Sequence, residues 1–286
     1  MKNQYLLIIC ITIISLFSCE KQKAIVPGFL KIDDVILRAA PTQGSSSDRI
    51  TDINVFINDQ SIGIFELPAL IPIQQTGNVN LKIRGVIYKN GQSNEKVDYP
   101  FYTTFNLDTI FVPEAQMEIT PVVKYQSSAI FDDPWSGEDF ETGVSFKKPT
   151  RPPLSDTVFS RITDPAEAFE GASGLAYLTE DMDFFEAWSP TFSNIPRNGV
   201  DVWLEMDYKS THQFAISVFV NGTAPSNQRP VVFFNPRATY GKIYVELSTV
   251  FSTLSGAVNY TLAIGFPKQT GEVAQFYIDN VKLVRF

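Results

Sequence analysis

Trp203 and the three carboxylates around it, Asp201, Glu205 and Asp207, are the residues of this chain whose types and spacing best suit chemistry. Over residues 200–208 apolar side chains fall on every even position, which leaves Asp201, Trp203, Glu205 and Asp207 together on the opposite face of one strand. A flat indole stacks on the C–H surface of a pyranose ring, and carboxylates hydrogen-bond its hydroxyls, so the grouping fits sugar recognition. Phe219 holds the matching odd position of the next apolar run, beside Ser217, and would extend the platform. An indole left exposed on a sheet face marks binding. The ordinary alternative is that a helix, loop or neighbouring domain covers this face and Trp203 packs beneath it. Trp188, in Phe184-Phe185-Glu186-Ala187-Trp188, reads as part of a strand entering a core, and Trp135 as a seal at a domain junction.

The same carboxylates carry the one enzymatic option. A glycosidase needs an acid and a base about 5–10 Å apart, and Glu205 with Asp207 or Glu186 would serve. Glu205 and Asp207 project the same way from one strand at roughly 7 Å. Acidic residues on an exposed face are, however, the default in a chain of formal net charge -8. Serine-hydrolase chemistry needs a base beside the nucleophile, and the single histidine, His212, sits in a turn between strands. No phosphate-cradling glycine loop and no metalloprotease signature occur. Glu180-Asp181-Met182-Asp183 lacks the spacing and central glycine of an EF-hand loop and reads as a solvated turn. The expected role is non-catalytic, with a glycoside hydrolase or lyase as the weaker alternative. The acidic balance also argues against nucleic acid, whose binding needs a basic stripe.

The elements that must position these residues are strands. The chain has 23 Phe and 11 Tyr among abundant Val and Ile, residues suited to pleated, half-buried surfaces. Period-two runs recur at 53–57, 79–88, 214–220, 243–247 and 260–266, punctuated by Asn58-Asp59, Asn90-Gly91 and Asn221-Gly222 turns. The fold class is therefore all-β, as two β-sandwich domains in series. The first spans 27–123 and has the size of a small Ig-like sandwich, residues 124–133 form a linker, and the second sandwich spans 134–286. The Ser- and Gly-rich loop 41–48 is expected to be mobile, and 250–255 to form a single helical turn.

Three resemblances add to this reading. Asp139-Phe140-Glu141-Thr142-Gly143, the small-residue run 171–178 and the closing Phe276-Tyr277-Ile278-Asp279-Asn280-Val281-Lys282-Leu283 resemble the first, following and last strands of jelly rolls of the carbohydrate-binding-module and galactose-binding-like type. In that family carboxylates from the first and last strands often hold a structural calcium, whose hard-cation chemistry wants oxygen ligands. The resemblance places Glu141 and Asp279 there, with Glu138 and Asp139 nearby. Otherwise Asp279 caps a strand end and Glu141 is solvated, and no cofactor is required. Ile64-Phe65-Glu66-Leu67-Pro68-Ala69, Ile83-Arg84-Gly85-Val86 and Tyr99-Pro100-Phe101-Tyr102 resemble a domain found in lipoproteins of Bacteroidota without assigned activity.

Leu16-Phe17-Ser18-Cys19, after Lys2 and a short apolar run, resembles the lipobox of bacterial lipoproteins. The resemblance implies a signal peptide over 1–18, acylation of Cys19 (a palmitate-type chain among the lipids) and a short tether over 19–26. The apolar run is too short to span hydrocarbon, and two or more acyl chains hold a protein stably on a bilayer. The implied address is the bacterial cell envelope, at the outer membrane, with the leaflet open because the run after Cys19 is mixed in charge. The expectation is a membrane-anchored lipoprotein whose jelly roll binds a glycan. The second is a structural or assembly lipoprotein whose sandwich surface binds an envelope protein.

Overall fold

The computed structural model describes residues 26–131, 135–196, 199–253 and 256–286. The leader, Cys19 and most of the expected tether lie outside these residues. In the first half the strands are β1 (Gly28–Ile32), β2 (Ile36–Leu37), β3 (Asp52–Ile57), β4 (Gln60–Glu66), β5 (Ala69–Ile73), β6 (Gly77–Tyr88), β7 (Lys96–Asp98), β8 (Phe105–Phe111), β9 (Gln116–Glu118) and β10 (Val122–Val123). In the second they are β11 (Ser160–Ile162), β12 (Ser173–Leu178), β13 (Phe184–Trp188), β14 (Phe192–Ser193), β15 (Val202–Ser210), β16 (Phe214–Val220), β17 (Gln228–Phe234), β18 (Arg237–Glu246), β19 (Asn259–Pro267) and β20 (Ala274–Arg285). One short helix, α1 (Ser248–Thr253), lies where a single turn was expected. The protein is all-β.

The turn residues set the hairpins. Asn58 and Asp59, at φ 50° and 65°, join β3 to β4, and Asn90 and Gly91, at 55° and 68°, begin the connection from β6 to β7. Left-handed backbone at both central positions gives a twist that matches the flanking strands, and Asn, Asp and Gly tolerate it. Sheets β5–β1–β9 and β4–β3–β6–β7, with β8 also on β6, face each other across Leu30, Ile32, Val55, Ile71, Leu81 and Ile83. In the second half, β11–β12–β20–β15–β18 and β13–β19–β16–β17, with β14 also on β19, enclose a larger core. All pairs in these two sheets are antiparallel. The segment 139–143, which resembles a first strand, forms none; Glu138, just before it, makes a single bridge to Val281, and β20 pairs with β12 and β15 instead. Trp135 belongs to the core of the second sandwich, against Phe146 and Phe192.

The first core does not end at the first half. Trp203, Tyr244 and Val284, from the outer face of β15, β18 and β20, belong to it. Residues 124–131, expected as a linker, are packed between the halves, with Tyr125 and Phe131 buried and Ile130 bridged to Arg285. Asn90 seats the first half on the edge of β18: its N–H donates to the Tyr244 carbonyl, and its Oδ1 accepts from the Glu246 N–H at 2.9 Å. The loop expected to be mobile is tied down as well. Ser47 Oγ donates to Asp207 at 2.6 Å, and Lys282 Nζ donates to the Gln43 carbonyl at 3.0 Å.

Trp203 is thus a core residue at the seam, edge-to-face with Tyr99 at 5.4 Å. Truncating a buried tryptophan costs about 3–5 kcal/mol. The expected outcome for Trp203→Ala is a loss of that size in urea unfolding followed by circular dichroism. A change below 1 kcal/mol, about the effect of an exposed side chain, would contradict the buried seam.

Candidate functional site

Strand β15 is buried on both faces over most of its length. Its even side chains enter the second core as the alternation requires, but the first sandwich covers Trp203, Glu205 and Asp207 on the odd face. This corrects the expected sugar platform. Trp203 is 4% exposed and its indole N–H donates to Asp201 at 3.2 Å, so Asp201 holds the indole in place. Phe219, 0% exposed, lies on the opposite sheet, in β16. There it packs with Trp188 at 5.3 Å, under the Arg151 guanidinium at 4.9 Å. Trp203 and Phe219 share no surface because alternation along two consecutive strands says nothing about which sheet each one joins.

The acid–base pair meets the same constraint. Glu205 has no exposed surface and accepts from the Tyr99 and Tyr125 hydroxyls at 2.6 and 2.7 Å, with Lys242 Nζ at 3.2 Å and Lys282 Nζ at 3.6 Å. Burial alone would raise this carboxyl. Lys282, Lys242 and the two hydroxyls outweigh it and hold the group below the usual range. Burial, followed by the charge on Glu205, pushes the Tyr99 and Tyr125 phenols far up, so they remain donors. Asp207 accepts from Ser47, with Lys242 Nζ at 3.7 Å. Glu186 is on the opposite sheet, accepting from the Trp188 indole at 2.6 Å. None of these carboxylates forms an opposed pair across a cleft. The Glu205 cluster is a weld between domains.

Glu141 and Asp279 both clamp the turn that leads into β12. Glu141 accepts from the Ala172 N–H at 2.8 Å, and Asp279 from Ser173 Oγ at 2.8 Å and the Glu170 N–H at 3.3 Å. Among the described residues no group of three or more His, Cys, Asp or Glu side chains is placed to hold a metal ion. Burial pushes the Asp279 carboxyl up to about 7, and the charge of Asp207 adds to the effect. His212 lies in the turn after β15, with Nε2 3.2 Å from the Glu272 carboxylate.

The first sandwich covers only half of the β11–β12–β20–β15–β18 face. Beyond Asp207 the odd register of β15 continues to Lys209, and the neighbouring outward positions are Gln275 and Tyr277 of β20 and Tyr177 of β12. A cleft of about 470 Å³ opens here, lined by Lys209, Thr211, Arg237, Gln275 and Tyr277. Lys209 Nζ sits 4.1 Å from the Tyr277 ring and 4.8 Å from the Tyr240 ring and donates to the Glu167 carbonyl at 2.9 Å. Tyr177 is 41% exposed beside it. An exposed aromatic ring beside a cleft that holds an amide and cations supplies the parts of a polar-ligand site. Sequence reasoning passed over these residues, although Lys209 shares the register of Trp203 and could have been found by extending it. Arg237, just after Pro236, carries no periodic signal.

No family model matches this chain, and no curated protein matches it. Among solved structures it is similar to carbohydrate-binding modules. One, described as of the β-sandwich superfamily, is 12% identical, with a TM-score of 0.40 over 81% of this chain and 84% of that one. A family 11 module from Clostridium thermocellum, in complex with a β-1,3-1,4-mixed-linked tetrasaccharide, is 14% identical with a TM-score of 0.33, over 51% of this chain and 92% of that one. A family 29 module variant is 11% identical with a TM-score of 0.32, over 56% and 92%. At these identities and scores the likeness carries no argument about ligand or residues.

The raised Asp279 group makes stability pH-dependent in a defined direction. Between the ordinary carboxylate range and about pH 7 the folded chain keeps a proton that the unfolded chain has lost. Rising pH therefore costs stability across that window, by at most about 1.4 kcal/mol per unit. Asparagine retains an acceptor for Ser173 and cannot ionise. The stability of the native protein relative to Asp279→Asn is expected to fall from pH 4 to 7 and level off above, measured by urea unfolding at each pH. A flat difference would remove the assignment.

Proposed function

We propose that this chain is a membrane-anchored, non-catalytic lipoprotein whose jelly-roll domain binds a glycan on the open half of the β11–β12–β20–β15–β18 face. One observation carries the reading. Where the first sandwich stops, the sheet presents Tyr177 to solvent beside a cleft lined by Gln275, Tyr277 and Lys209. Tyr177 supplies a ring face for a sugar, and the Gln275 amide supplies both a donor and an acceptor for hydroxyls. The non-catalytic part is supported by the burial of Glu205 and Asp207 under the first sandwich. The anchor is supported by the lipobox-like run ending at Cys19, with the first sandwich as an Ig-like spacer holding the jelly roll off an outer-membrane surface.

The covered Trp203 face favours a second reading, an assembly lipoprotein that binds an envelope protein. The first sandwich leaves Ile64, Leu70, Ile110 and Val112 exposed, which gives such a partner apolar surface to bury.

A glycan-array screen of the soluble chain from residue 24 tests the first reading against the second. The expected outcome is binding to at least one glycan that falls tenfold or more in Tyr177→Ala, equivalent to about 1.4 kcal/mol, with the melting temperature unchanged. No glycan bound, together with an envelope protein retained through Leu70 and Ile110, would replace the first reading by the second.

A further inference from the structure

The charge around the open cleft is opposite to that of the chain. The whole sequence has a formal net charge of -8, yet Lys209 and Arg237 both line this one cleft. Arg49, from the first sandwich, lies close enough to Arg237 to depress its guanidinium, second only to burial. Among the described residues no carboxylate pairs with any of the three within 4.0 Å. The nearby Glu167 instead receives the Tyr277 hydroxyl at 3.4 Å and offers Lys209 only its carbonyl.

Arg237 is held in place without being satisfied. Its guanidinium packs over Gly241, where any Cβ would collide with it, and lies 5.8 Å from the Tyr208 ring. Nη1 is buried with no hydrogen-bond partner. A buried donor of a charged group left unpaired costs free energy, and a bound oxyanion recovers it by drawing the guanidinium off Gly241 toward the cleft. The Arg49 and Arg237 charges repel each other, and an anion near both reverses the sign of that interaction. The planar guanidinium fork matches the oxygen pairs of carboxylate and sulfate. The Gln275 amide makes no side-chain hydrogen bond among the described residues, which leaves it for a neutral hydroxyl.

We propose that the ligand of this cleft is acidic: a sugar bearing an oxyanion substituent, either a uronate carboxylate or a sulfate ester, seated at Arg237 with Lys209 and Arg49 adding to the positive field. The sugar rests on Tyr177, which is exposed beside the cleft. This inference rests on the glycan reading above for its ring, but the anion contact stands on separate observations, the unpartnered Nη1 and three cations with no carboxylate within ion-pair distance. It makes the site a joint product of both sandwiches, since Arg49 comes from the first.

Isothermal titration of the soluble chain from residue 24, at fixed ionic strength, tests it with matched pairs that differ only in charge. Polygalacturonate is compared with its methyl ester, and dextran sulfate with dextran. The expected result is at least tenfold tighter binding of one acidic member than of its neutral partner. The carboxylate and sulfate arms distinguish the two sources of the oxyanion. Arg237→Gln and, as a second variant on an exposed side chain, Arg49→Gln are expected to erase or reduce that preference, with melting temperatures within a few degrees of the native chain. Equal affinity within both pairs overturns the inference and leaves the glycan reading standing. A preference that survives Arg237→Gln also overturns it. If no polymer binds, the glycan reading fails, and a sodium sulfate titration followed by the Arg237 side-chain NMR signal decides the rest. A saturable shift absent with sodium chloride keeps the anion contact, and no shift removes it.

Discussion

The buried carboxylate of Glu205 constrains the whole molecule. An ionised carboxylate without solvent is tolerated only when its lone pairs are met by donors and its charge by cations. Tyr99 comes to it from the first sandwich and Tyr125 from the segment packed between the halves, Lys242 and Lys282 from strands flanking its own in the second. Separating the sandwiches would strip the two hydroxyls and leave the charge short of partners. Tyr102 and Tyr244 extend the network with a 3.0 Å contact between their hydroxyls, and Tyr244 receives the Arg49 N–H. The two halves are therefore locked in one relative position by polar groups whose geometry is specific, wrapped in the apolar contacts of Trp203 and Val284.

That lock decides where a ligand can go. By covering Trp203, Glu205 and Asp207, the first sandwich removes the centre of one sheet face from solvent and leaves its far end open. The border between the two regions is where Lys209, Arg237 and Arg49 gather. The docking and the proposed ligand site are two consequences of one interface.

Much of the fold is legible locally. Asn58-Asp59 and Asn90-Gly91 announce their turns because those side chains tolerate left-handed backbone, and the even positions of 202–208 reach the core because a strand's period is two. The segment at 139–143 resembles a first strand, but it is irregular in the fold, because strand pairing depends on partners remote in sequence that a short local resemblance does not supply. The resemblance gives Glu141 and Asp279 as a calcium pair, and in the fold both accept hydrogen bonds from one turn, Glu141 from the Ala172 N–H and Asp279 from Ser173 Oγ and the Glu170 N–H. Phe219 and Trp203 could not be assigned to different sheets from alternation alone, because sheet membership depends on pairing partners remote in sequence.

By itself the sequence determined an all-β chain, the places of its hairpins and the two sides of each strand, since turn conformation and side-chain alternation are properties of neighbouring residues. Only the tertiary structure decided what each side faces. The odd face of β15 meets tyrosines some 80–106 positions away, and whether a strand's second face meets water or another domain depends on such contacts. Alternation separates the two faces of a strand but says nothing about what lies against either.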